Sequence, residues 1–142
     1  MIERDYILRI IQDLVKFIAR LLKLLQEEDI EKAYDQVVRK TEKLTATQYD
    51  SFLKMSRDDL KVKLSEKEIN AEYLDTLARF FMVSGEICIE KEVRGEAQHF
   101  LSCADLCMTL SEEKFKTFSF ERQMDQKKVR EMLMKMGTIY LL

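Results

Sequence analysis

The sequence predicts an all-α fold in one domain spanning residues 1–142. Three observations carry this. The chain has no proline and only three glycines, too few for the tight turns of an all-β domain. Its apolar residues recur at i, i+3, i+4 and i+7, the period of a helix with one buried face. No linker, low-complexity tract or shift in composition divides it, and a chain of 142 residues buries a core without staples.

The first helix is expected over about residues 2–26. Its apolar residues fall on four columns with a seven-residue step: Ile7, Leu14, Leu21; Leu8, Val15, Leu22; Ile10, Phe17, Leu24; Ile11, Ile18, Leu25. These columns cover an arc of roughly 160°, wider than the ~100° stripe that suffices for one face on a core. Lys16 and Arg20 interrupt the middle, which excludes a membrane span. One flank is expected against Tyr34 and Val37. The other, centred on Leu8, Val15 and Leu22 or on Ile10, Phe17 and Leu24, needs a cover. Either the long helix that follows supplies it or a second copy does, and the reading favours the homodimer, with Leu8, Val15 and Leu22 as its face.

An acidic break at Glu27, Glu28 and Asp29 leads to a second helix over about residues 30–44, with Ile30, Ala33, Tyr34, Val37, Val38 and Thr41 on one face. Residues 45–65 read as short helices: Thr45 or Thr47 would cap one, and Ser56 with Asp59 another. Ser65 and Glu68 form a capping-box pattern that places a long helix from there to about residue 90. After a break at residues 91–95, its partner is expected to run to about residue 110. Residues 111–119 read as a connection whose Phe115 and Phe118 dock on this hairpin. A last helix over about residues 120–136 would use Phe120, Met124, Leu133 and Met136 as anchors and Gly137 as its C-terminal cap. The apolar TIYLL that follows is expected to pack.

Within residues 77–110, Gly85, Ala97 and Ala104 stand at offsets of twelve and seven, small residues that let two helix backbones approach closely. This spacing resembles the tetratricopeptide repeat, a helix–turn–helix unit of ~34 residues. EEDIEKAYDQVV resembles the middle of a second unit, with Ala33 in the place of Ala97. That copy departs from the pattern, having Leu21 for the first small residue and Lys40 for the second alanine. IERDYILRII, EEDIEKAYDQ and TFSFERQ together resemble a small bacterial family of helical, repeat-like proteins with no assigned activity. The resemblance implies antiparallel hairpins stacked in a tetratricopeptide-like array with a C-terminal capping helix. It also implies a partner groove lined by Arg79, Met82, Glu86, Ile89 and Glu90. That set lacks the lysine and asparagine clamp for a peptide carboxylate and suits a basic or apolar partner segment.

The totals narrow the function. A formal charge of −2 argues against a surface for polyanions. In the basic run QKKVREMLMKM the four cations have no interleaved aromatics, so neither nucleic acid nor a membrane is expected as a partner. Three cysteines cannot all pair with one another, and the chain opens MIERDYI, charged from residue 3; the expected compartment is the reducing cytoplasm.

The sharpest chemical candidate is His99, Cys103 and Cys107, spaced i, i+4, i+8 on one helical stripe. A straight stripe of that length spans ~12 Å, too long for one zinc ion, which needs ligands within ~2.3 Å. No metal and no cofactor is therefore expected. Catalysis has little to stand on either: there is one histidine and no phosphate loop, nucleophile elbow or metalloprotease motif. The acid pair Asp58–Asp59 sits at a helix start, where carboxylates favour the dipole. The expected function is a non-enzymatic protein-interaction module. The alternative is a structural protein whose main act is homodimerisation, with an enzyme or metal-dependent regulator third.

Overall fold

The computed structural model describes residues 2–65 and 69–137, with side chains from residue 5 onward. Seven helices and no strand occur among them: α1 (Ile2–Gln26), α2 (Ile30–Thr45), α3 (Tyr49–Leu53), α4 (Arg57–Ser65), α5 (Ala71–Lys91), α6 (Arg94–Phe115) and α7 (Phe120–Lys135). The all-α expectation is met, and the first two helices fall within a residue of where periodicity places them.

The α5–α6 hairpin is the centre of the molecule. α5 packs against α6, α1, α2 and α7, which is why Tyr73, Leu77, Phe80, Phe81 and Ile87 are buried together with Leu74, Ala78 and Cys88. Its close approach to α6 depends on Gly85. A β-carbon there would lie 2.8 Å from Cγ and Cδ2 of Leu101 and 3.5 Å from the Ala97 carbonyl oxygen. Ala97 and Ala104 are themselves fully buried.

The two hairpin turns share one geometry. At the end of α1, Glu28 N–H donates to Leu25 O (3.1 Å) and Asp29 N–H to Leu24 O (2.9 Å). At the end of α5, Glu92 N–H donates to Ile89 O and Val93 N–H to Cys88 O, both at 3.0 Å. These are Schellman closures, with Glu28 (φ 61°) and Glu92 (φ 68°) in the left-handed region. In each, an alanine five residues on, Ala33 or Ala97, is fully buried.

Around α1 the four columns separate. Ile11, Leu14, Ile18 and Leu21 are buried, and Ile10, Phe17 and Leu24 pack half-buried against the core. The Phe17 ring lies 6.1 Å from that of Phe80, so α5 covers that flank. Leu8, Val15 and Leu22 remain exposed.

Several local expectations are corrected. Thr45 belongs to α2 and donates to Thr41 O, while Thr47 turns back to Thr45 O. Neither caps α3, whose Tyr49 N–H is satisfied instead by Glu42 Oε2 at 2.9 Å. The long helix begins at Ala71, because Asn70 Oδ1 accepts from Tyr73 N–H (2.7 Å); Ser65 ends α4, its hydroxyl bonded to Lys61 O. Glu68 of the expected capping box and the TIYLL segment lie outside the described residues. The Ser56–Asp59 box is present, with Asp59 N–H donating to Ser56 Oγ (3.0 Å). α6 runs on to Phe115, because nothing before Lys116 breaks it and Ser111 faces the core. Phe115 packs on the core, but Phe118 is 73% exposed.

Candidate interaction cleft

α7 is held by ion pairs as well as by its apolar residues. Phe120 and Met124, expected anchors, are exposed; Val129 and Leu133 are buried, and so is Arg122. Arg122 Nη1 donates to Asp75 Oδ2 (3.1 Å) and Ser111 Oγ (3.3 Å), and Nη2 to the Thr117 carbonyl. Asp105, 2% exposed on α6, accepts from Arg130 Nε (2.9 Å), Gln126 Nε2 (3.0 Å) and Arg57 Nη2 (3.4 Å). A buried carboxylate needs such donors to offset its lost hydration. At the far end Met136 is the cap, with the expected Gly137 (φ 80°) next after it, and Arg94 and Gln98 donate to the Met136 carbonyl. The basic run is thus partly consumed at home: Arg130 binds Asp105 and Lys128 binds Glu86.

So placed, α7 forms one wall of a cleft of about 680 Å³, with the C-terminal part of α5 and the α1–α2 turn as the others. Its apolar lining is Leu25, Ile30, Ile89 and Met132. Its charged lining is Glu28, Glu86, Glu90 and Lys128. Lys128 Nζ sits 3.4 Å from Glu86 Oε1, and among the described residues Glu28 and Glu90 along the rim have no ion-pair partner. Ile89 and Glu90 are exposed there, next to the fully buried Ile87 and Cys88.

Of the five expected groove residues, Glu86, Ile89 and Glu90 line this cleft together. Met82 does not; it is buried beneath. Arg79 lies apart, bonded to Glu121 and 3.9 Å from Asp125 at the start of α7. The correction has a physical cause: Glu121 and Asp125 at the start of α7 take up Arg79, and Met82 belongs to the core. Leu25, Glu28, Ile30, Lys128 and Met132 went unassigned to the site. Only their tertiary neighbours bring them there.

The His99–Cys103–Cys107 stripe faces inward. Burial pushes the Cys103 thiol up to about 12 and Cys107 well above its ordinary range. Burial also lowers His99, whose ring meets Phe52 edge-on at 4.7 Å. A cluster the sequence did not signal ties the hairpins together: the hydroxyls of Tyr34 and Tyr49 each donate to Glu96 Oε1 at 2.6 Å. Burial and the Glu96 carboxylate raise both phenols above their usual value, keeping them protonated as donors.

No family model, curated protein or solved structure matches this chain.

Proposed function

We propose that this chain is a non-enzymatic protein-interaction module of the cytoplasm, built of tetratricopeptide-like hairpins with α7 as the C-terminal cap. The shared closure of the α1–α2 and α5–α6 turns, each followed by its buried alanine, supports reading the hairpins as two copies of one unit. The cleft is the observation that carries the function. Four apolar side chains between carboxylates suit a helical segment with an apolar stripe flanked by lysine or arginine. The buried thiols and histidine are held in their neutral forms, which favours a packing role for them over chemistry.

The test uses two fluorescent amphipathic peptides of equal length, one of leucine and lysine and one of leucine and glutamate. The leucine–lysine peptide should bind saturably and lose affinity with added salt. Ile89→Glu and Glu90→Lys should each weaken it about tenfold, or ~1.4 kcal/mol, while Val15→Glu on the far side of α1 leaves it unchanged. Equal binding of the two peptides, or indifference to both cleft variants, refutes the proposal.

A further inference from the structure

We infer that α1 docks antiparallel on α1 of a second copy of this chain, with a two-fold axis at Val15. Leu8, Val15 and Leu22 are 39%, 49% and 45% exposed, while the column beside them, Ile11 and Ile18, is buried in the chain's own core. At about 100° per residue, Leu8 and Leu22 lie within about 20° of Val15, so the stripe runs nearly straight along the helix. Exposed Gln12, Ala19 and Gln26 border it without charge. The stripe is therefore apolar, narrow and uncovered.

Its spacing is self-complementary. Val15 stands seven residues from Leu8 and seven from Leu22. A perpendicular two-fold axis at Val15 sets that residue on its own counterpart and each leucine on the other leucine of the second copy. The charges agree with this arrangement. Asp5 and Lys23 both sit about 80° round from Val15 on the same flank, and in a two-fold antiparallel pair that flank meets itself. At about 1.5 Å per residue, Asp5 lies about 15 Å from the axis and Lys23 of the second copy about 12 Å along the same direction, within reach of each other. The symmetry makes this pair twice. Among the described residues neither Asp5 nor Lys23 has an ion pair within its own chain.

A parallel pair would set this flank against the side of Ile11 and Ile18, which the core already occupies. Like-charge meetings arise at Lys16, which faces its own counterpart, and at Arg9, about 9 Å from the axis and beside Lys23 of the second copy; their flexible stems let these charges swing into water. A single helix face is smaller than the ~800 Å² per partner of a standard interface, so the expected dissociation constant is micromolar.

Sedimentation equilibrium of the full chain tests this, with circular dichroism to verify folding. Wild type should be dimeric at high micromolar concentration, and Val15→Glu a folded monomer. Asp5→Lys and Lys23→Asp should each weaken the dimer about tenfold, and the double swap should restore it. A short bis-maleimide should cross-link Val15→Cys to itself, and Leu8→Cys only to Leu22→Cys in a mixture; Cys88, Cys103 and Cys107 are buried and leave a clean background. Should Val15→Glu unfold, the cross-link decides. A wild type that stays monomeric overturns the inference, as does a dimer that neither cross-links at Val15 nor is restored by the swap.

Discussion

Adding one methyl group at Gly85 measures how tightly the central hairpin is closed. The Gly85→Ala β-carbon would stand 2.8 Å from Cγ and Cδ2 of Leu101, whereas carbon atoms rest at about 3.5–4.0 Å. Leu101 is fully buried, so the missing distance, close to an ångström, comes from shifting a packed side chain or parting the helices. Overpacking of this kind costs about 1–3 kcal/mol. Alanine recovers about 0.5–1 kcal/mol over glycine in a helix interior. The net expectation is a loss of about 1–2 kcal/mol, and Gly85→Leu should lose more. Urea unfolding at constant slope gives the number. The double-mutant cycle with Leu101→Ala gives the cause, because removing the obstructing side chain should make Gly85→Ala neutral or stabilising. A Gly85→Ala midpoint at or above wild type, or strict additivity in the cycle, would refute the reasoning.

Glu92→Gly should raise stability by about 0.5–1 kcal/mol, since it relieves an L-residue of the left-handed region; an unchanged or lowered urea midpoint counts against it. His99 is lowered from 6.5 by burial, so the unfolded chain binds its proton first. The stability this group contributes is complete above pH 6.5 and falls as the pH drops through and below that value, and His99→Gln should flatten the melting temperature against pH in this window. Asp105→Ala removes the acceptor of Arg130 and Gln126, and because the Arg130 side chain is about half exposed and is rehydrated, the cost should be about 1–2 kcal/mol. Hydrogen exchange should show α7 losing protection while α5 and α6 keep theirs, and uniform loss along the chain would mean that Asp105 does not act on α7.

The helices were legible wherever burial and periodicity coincide. α1 and α2 each bury one face, so their columns mark both the boundaries and the buried side. The start of α5 was misplaced because Ser65 and Glu68 offer a good cap locally, and only the structure shows Asn70 capping instead. The end of α6 was missed because SEEKF is polar, yet Ser111 among those residues is buried and receives Arg122. α7 was the hardest to read. Its sequence offers Phe120 and Met124 as anchors, and hydrophobicity alone prefers them over Arg122. What decides against them is a set of carboxylates at Asp75 and Asp105, remote in sequence. The cleft was half legible for the same reason: Glu86, Ile89 and Glu90 follow from one helix, whereas Glu28 and Met132 come from others.

The way α7 is held also bears on what the cleft can do. A helix docked through a wide apolar face can shift only by exposing that face, which costs about 25 cal/mol per Å². α7 buries Val129 and Leu133 but takes much of its placement from Asp75, Asp105, Glu86, Arg94 and Gln98. Of these contacts, Lys128–Glu86 is the one inside the cleft, and Lys128 is 59% exposed, so solvent screens the pair and little holds it shut. A lysine or arginine entering the cleft competes with Lys128 for Glu86 on nearly equal terms. The contacts of the buried Arg122 and Asp105 lie outside the cleft and keep the wall in place during that exchange. The cleft therefore has a fixed frame and one exchangeable ion pair, which lets a basic segment enter without unseating α7.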